Sequence, residues 1–291
     1  MTDFVDSSRE PLRGVVNTDE GLAEARTSLA AGVGPVAFDA ERAHGHRYWP
    51  KAYLFQIRRA GAGTWLVDPT AFERDGNVDL SDAVAPLMDE VWLIHAASQD
   101  LACMREASIY PRRLFDTELA GRLLGEPSVS LANLLERHLG IKLRKAHSAA
   151  DWSTRPLPEA WLTYAALDVD YLVELHDALA VILDQRGRRE WAEQEFTATV
   201  EQYRTDPPPR PDPWRRLSGI TSLRQPRQLA VARSMWIERD LMARAADRPP
   251  GRVLSDGAII AAATLARSGA PLPTQDSLAE LAEFRSRGAR R

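Results

Sequence analysis

The stretch "VAFDAERAHGHRYWP", residues 36–50, begins as a buried strand and then puts charge where a core residue is expected. Asp39 and Glu41 stand two apart inside an extended apolar run. Residues i and i+2 of a strand share a face, so the two carboxylates stand side by side, about 7 Å apart along the chain. Two like charges in a partly desolvated place repel, and one takes up a proton unless something positive lies between them. A second Asp-x-Glu, Asp116-Thr117-Glu118, poses no such problem. It opens a helix, where Asp serves as cap and Glu sits in the favourable first turn.

Outward from this stretch, strands and helices alternate. "NTDEGLAEARTSLAA" predicts a helix capped by Asn17 or Thr18. "PVAFDAE", "AYLFQIR" and "TWLVD" predict three strands joined by short links and therefore antiparallel. "VWLIH" and "RLFD" predict a fourth and a fifth, each reached through a helical connection and so parallel. "SLANLLERHLG" reads as helix. "PEAWLTYAALDVDYLVELHDALAVILDQRG" reads as one long helix closed by Gly187. The pattern predicts an α/β domain, a mixed five-stranded sheet with flanking helices.

The window "RTDPPPRPDPW", 204–214, holds five prolines and cannot continue a helix. It divides the chain into 1–203, a linker at 204–213, and 214–291. The last part shows only helical signals: "PRQLAVARSMWIERDLMARAADRPP", "SDGAIIAAATLARSG" and "TQDSLAELAEFRSR". Ser255 and Thr274 or Asp276 are the expected caps of a small helical bundle. Charge divides with the chain. Residues 210–291 carry 15 arginines and no lysine against 8 acids, while 1–209 carry 22 basic and 33 acidic residues. A basic module on an acidic body suits contact with a polyanion. One cysteine, Cys103, excludes an internal disulfide and a thiolate metal cluster. The start, "MTDFVDSSREPLRG", lacks the apolar core of a signal peptide, and no apolar run has the length of a membrane span. A cytoplasmic protein without a membrane segment is expected.

Two more acidic positions interrupt apolar patterns. "VWLIHAASQDLACM" ends a strand at His95 and opens the next turn or helix with Asp100. In "YAALD", Tyr164 and Asp168 lie at i and i+4 on one helix face. Each has an ordinary reading by itself: a helix-start acid, an exposed helix pair, and for His95 a strand-end hydrogen-bonding residue.

Taken in order, Asp-x-Glu on a strand, Asp after a later strand and Tyr-x-x-x-Asp on a late helix resemble the DEDD 3′–5′ exonuclease superfamily. The likeness is to its tyrosine-bearing branch, built on a ribonuclease H-like fold. The ribonuclease D family is the closer likeness. "VAFDAERAHGHRYWPKAYLFQI", with Tyr48-Trp49-Pro50, resembles its first motif and "HAASQDL" its second. "SLANLLERHLGIKLRKAHSAADWSTRPLPEAWLTYAALDVDYLVELH" resembles its third block. The likeness covers roughly residues 14–203. "RQLAVARSMWIERDLMARAADRPPGRVLSDGAI" resembles the HRDC domain, a helical module of helicases and ribonuclease D. Ala40 stands where the family usually has Thr, and Gln99 where it usually has Glu; neither is a candidate ligand. Relatives often continue into a second helical module, whereas this chain ends at Arg291, inside or just after the first.

The resemblance implies two divalent cations, Mg²⁺ or Mn²⁺, as the missing positive charge, in keeping with an all-oxygen donor set. It implies Asp39 shared by both, Glu41 and Asp168 completing the first site, and Asp100 serving the second through water. Tyr164 then orients the attacking water. The expected substrates are RNA 3′ ends, in tRNA precursors or other structured RNA, and the expected products 5′-mononucleotides. Lys145, in "LRKAHSAADW", is expected to contact phosphate, as are Arg155 and Arg42; Trp152 either stacks on a base or packs in the core. The Arg-rich HRDC-like part adds sequence-independent phosphate affinity. The alternatives are a 3′–5′ DNA exonuclease of the same superfamily and an inactive nucleic-acid-binding protein. The intact acidic set argues against the latter.

Overall fold

The computed structural model describes residues 4–43, 45–143, 150–208 and 210–266. The described residues form two compact units: those within 1–43 and 51–207, and those within 44–50 and 208–291.

The first unit is built on a six-stranded sheet. Its members in chain order are β1 (Val15–Val16), β2 (Val33–Arg42), β3 (Ala52–Ala60), β4 (Gly63–Val67), β5 (Val91–Ile94) and β6 (Arg113–Asp116). They lie in the order β1-β4-β3-β2-β5-β6. β2, β3 and β4 are antiparallel, and β5 and β6 run parallel to β2, as their connections dictate. The sequence predicts five strands. The sixth, β1, is two residues long and pairs in parallel with β4 at the edge, too short to leave an alternation signal.

Helix α1 (Asp19–Ala31) leads into β2, with Thr18 as cap accepting from the Gly21 N–H at 3.2 Å. The period of two in β2 sends Phe38 and Ala40 to one face, into the main core with Phe55, Ile57 and Trp92. Phe38 lies 5.2 Å from Phe55 and 5.6 Å from Trp92, ring to ring. Asp39 and Glu41 point to the other face, opposite Gln56 and Leu54 of β3. A smaller core covers that face, made of Leu54, Leu66, Trp152 and Ala165 with Trp161 and Tyr164 packed on it.

The long helix expected over 158–187 is two helices, α5 (Glu159–Asp170) and α6 (Leu172–Gln185), after α2 (Leu101–Glu106), α3 (Thr117–Leu124) and α4 (Leu131–Leu139). Tyr171 leaves helical geometry at φ −120°, ψ 9°. The cause is a distant residue. Arg9 donates its N–H to the Asp170 carboxylate at 2.9 Å and its guanidinium to the Asp170 carbonyl at 3.1 Å. The same carboxylate accepts from the Thr64 hydroxyl at 3.1 Å. The Asp170 carbonyl thus has a partner outside the helix, which periodicity cannot register. Helix α7 (Arg189–Tyr203) completes the unit.

The second unit is helical: α8 (Pro226–Ala245), α9 (Pro250–Val253) and α10 (Asp256–Leu265). Its core joins Val231, Ala232 and Met235 to Ile259 and Ala263. Ser255 caps α10 through Ala258 N–H, and buried Arg239 bonds the Leu254 carbonyl at 3.1 Å and Asp256 at 2.6 Å. The Tyr48-Trp49-Pro50 motif groups with this unit. Asp247 accepts from the backbone N–H groups of Tyr48 and Trp49 at 3.0 and 3.2 Å, and the Tyr48 hydroxyl donates to Asp240. The third expected helix, with Thr274 and Asp276, lies outside the described residues, as does Lys145.

The turn after β5 hangs on one side chain. Asp116, at the end of β6, caps α3 through Glu118 N–H at 2.8 Å and Leu119 N–H at 3.2 Å. Its carboxylate also accepts from Ala96 N–H at 3.0 Å and Ala97 N–H at 2.9 Å. Ala96 occupies the left-handed region at φ 59°, a conformation unfavourable to alanine that these bonds hold. Replacing Asp116 by Ala leaves buried N–H groups without acceptors. The expected loss is about 2–4 kcal/mol of stability, read as a lowered urea midpoint with the m-value unchanged.

Candidate active site

Strand β2, the α2 start and helix α5 bring the acids together. Asp39, Glu41 and Asp168 each place a carboxylate oxygen within 4.8 Å of the others. Asp100 stands outside that trio yet near enough to raise the pKa of Glu41. It is buried, at 3% exposure. Asp100 occupies the cap position of α2, but its side chain makes no capping hydrogen bond. The ordinary reading of a helix-start acid therefore does not account for it.

Burial pushes all four carboxyls upward, and repulsion adds to it at Glu41, Asp100 and Asp168. Asp39 is raised to about 6, chiefly by desolvation, with Arg42 pulling against it. Glu41 is raised well above its ordinary range by desolvation, then by Asp39, Asp168 and Asp100. Desolvation and then Asp39 do the same to Asp100 and Asp168. Four acids that resist ionisation together, with oxygen donors only, fit hard divalent cations, which would keep all of them charged. The donor set holds no thiolate and no imidazole. Desolvation pushes buried Cys103 up to about 12 and half-buried His95 down to about 4. His95 Nδ1 lies 2.8 Å from the Thr117 hydroxyl, the strand-end bonding role read from the sequence.

Tyr164 and Asp168 meet one turn apart on α5 and share a hydrogen bond that lowers the carboxyl pKa. Burial and the carboxylates of Asp168, Glu41 and Asp39 raise the phenol pKa, so its proton stays on at neutral pH.

The candidate substrate contacts fare differently. Arg42 follows a register shift in the β2–β3 pairing and turns to the Asp100 turn. It donates to the Gln99 carbonyl at 2.8 Å and the Gln99 side-chain oxygen at 3.0 Å, and lies 4.0 Å from Asp100. Arg155 is committed inside the fold. It grips Asp68 at 2.7 and 2.9 Å and bonds the carbonyls of Tyr53, Trp152 and Thr154 at 2.8 Å each. Trp152 has no exposed surface and packs against Trp161, 5.3 Å away, so it has no face to offer a base here. Of its two readings, the core one describes this structure. The sequence reading missed the second task of Asp116 and the part played by Gln99. Asp116 had a sufficient local explanation as a cap, and no local pattern marks a residue whose partners lie twenty positions upstream.

Fold and carboxylate cluster together define a ribonuclease H-like α/β protein with an acidic centre. The chain belongs to the 3′–5′ exonuclease family, whose model matches residues 14–184; that family is metal-dependent. A ribonuclease D of Bartonella henselae is 30% identical over 229 residues, covering 77% of this chain and 54% of that one. The chain thus spans little more than half of that curated relative. Among solved structures, a protein from Bifidobacterium adolescentis is 37% identical with a TM-score of 0.86, covering 99% of this chain and 72% of that one. Escherichia coli RNase D, an exoribonuclease involved in structured RNA processing, is 27% identical with a TM-score of 0.71, covering 96% of this chain and 73% of that one. The resemblance to ribonuclease D read from the motifs is borne out by these relatives.

The raised Asp39 pKa sets a pH dependence in the cation-free protein. The folded carboxyl keeps its proton to about pH 6, whereas the unfolded one releases it near ~3.9. Between these values the folded state binds more protons. Stability from this group is complete below the unfolded pKa and is lost as pH rises through the folded one. Asp39→Asn removes the charge. In EDTA at pH 7.5 the variant is expected to melt higher than the parent by the equivalent of about 1–3 kcal/mol, with the gap closing towards pH 4. Equal melting temperatures at both pH values would contradict the assignment.

Proposed function

We propose that this protein is a two-metal-ion 3′–5′ exoribonuclease that releases 5′-mononucleotides from RNA 3′ ends, in the processing of tRNA or other structured RNA. The observation that carries the reading is the gathering of Asp39, Glu41 and Asp168 within 4.8 Å beside the hydrogen-bonded Tyr164 phenol. Relatives named ribonuclease D support it.

Asp39, Glu41 and Asp168 would hold one cation, with Asp39 and Asp100 serving a second; all-oxygen donors favour Mg²⁺ or Mn²⁺. When bound, such ions neutralise phosphate charge and make water a usable nucleophile at neutral pH. The residues of the chain then supply position. Tyr164 keeps its proton, so it orients the attacking water as a hydrogen-bond partner and does not act as the base. Arg42 tethers the turn that carries Asp100. Lys145 is assigned to phosphate. The Arg-rich helical unit is read as an HRDC domain that adds backbone affinity, falling with salt. The setting is cytoplasmic; among the described residues no helix is long and apolar enough to cross a membrane.

The test uses a 5′-labelled single-stranded RNA and a matched DNA with Mg²⁺, Mn²⁺ or EDTA, beside Asp39→Ala. The expected outcome is a ladder shortening from the RNA 3′ end, absent with EDTA and at least ~100-fold slower in the variant. DNA degraded as well as RNA or better would favour a DNA exonuclease, and no degradation with any cation would overturn the enzymatic reading.

A further inference from the structure

Gln56 of β3 has no exposed surface, and neither its side-chain oxygen nor its nitrogen has a hydrogen-bond partner. A buried amide with neither end matched by a protein group is destabilising, and such groups call for an explanation. Its position supplies one. Gln56 pairs with Asp39 across β2 and β3, so the two side chains rise together from the same face, with their Cβ atoms about 5 Å apart. Leu66 is its neighbour in β4. The next residue on that face, Arg58, is already engaged, donating to the Thr64 hydroxyl at 2.9 Å and standing 3.5 Å from Asp170. Leu54, on the other side, is apolar and buried. Packing needs no amide here: a methionine would fill the same length without the polar atoms.

We propose that Gln56 is a positioning residue for the metal centre: its side-chain N–H is held in reserve for the Asp39 carboxylate once cations gather the acids. Carboxylates that bind metals are commonly steadied by an outer hydrogen bond, and removing such a partner weakens metal affinity by 10–100-fold, as a rough range. In this protein the outer donor is an amide on the adjacent strand. It is buried and neutral, so it can hold Asp39 without adding charge to a crowded acidic site. Asp39 already takes a hydrogen bond from the Ala40 N–H, and Gln56 brings a second donor to the same group. The proposal rests on the cation-binding reading given above.

The experiment is Mn²⁺ titration by calorimetry on the full chain, with cation-free melting curves, for the parent, Gln56→Met and Leu54→Met. Leu54→Met perturbs the neighbouring position on the same face but removes no donor. The expected result is a Kd for Mn²⁺ about tenfold weaker in Gln56→Met, unchanged in Leu54→Met, with the cation-free melting temperature of Gln56→Met equal to or above the parent's. Gln56→Met binding Mn²⁺ within about twofold of a parent that does bind it would overturn the proposal alone. So would a fall in its cation-free melting temperature, which would mean that the amide already has a structural task. A parent that binds no Mn²⁺ would overturn the metal reading as well.

Discussion

Asp39 and Glu41 share one face of a central strand, under a helix and among apolar side chains, and this arrangement is unfavourable as it stands. Desolvation lifts Asp39 to about 6 against the pull of Arg42 and the Ala40 N–H, and desolvation together with the neighbouring carboxylates raises Glu41 well above its ordinary range. Adding Asp168 from α5 within 4.8 Å deepens the repulsion. The fold tolerates this because the opposite face of the same strand is a dense apolar core, with Phe38 and Ala40 among Phe55, Ile57 and Trp92. One strand therefore carries apolar core packing on one face and an electrostatic conflict on the other, separated only by the pleat. A divalent cation among the carboxylates would resolve the conflict. Arg42 lies close enough to lower the pKa of Asp39, Glu41 and Asp100, yet its hydrogen bonds go to Gln99.

The site also depends on groups that hold backbone. Asp116 ties β6, the start of α3 and the turn before Asp100 into one hydrogen-bonded unit. Arg155 anchors the segment before α5 to Asp68 and to the Tyr53 carbonyl. Arg9 breaks the long helical stretch at Asp170, so that α5 ends just past Asp168 and α6 sets off separately. In each case a charged side chain satisfies backbone or carboxylate groups far away in sequence. Arg155 and Asp116 thus serve the site by bonding the segments that carry the acids.

The sequence by itself determined the strand directions, a first helix starting at Asn17 or Thr18, the cap at Ser255, and Asp39 and Glu41 as carboxylates out of keeping with their strand, while Asp100, Tyr164 and Asp168 stood out only through their order along the chain. These are local properties: connection length fixes parallel or antiparallel pairing, a hydroxyl caps the turn beside it, and a period of two or 3.6 exposes a carboxylate on the wrong face. Tertiary structure alone decided the edge strand at Val15–Val16, the break at Tyr171, the commitment of Arg155 and Trp152 to the interior, the double task of Asp116 and the isolation of Gln56. Each of those turns on a partner many residues distant. A side chain's chemistry is written in the chain, but whether its hydrogen bonds are already taken depends on which groups folding brings within about 3 Å.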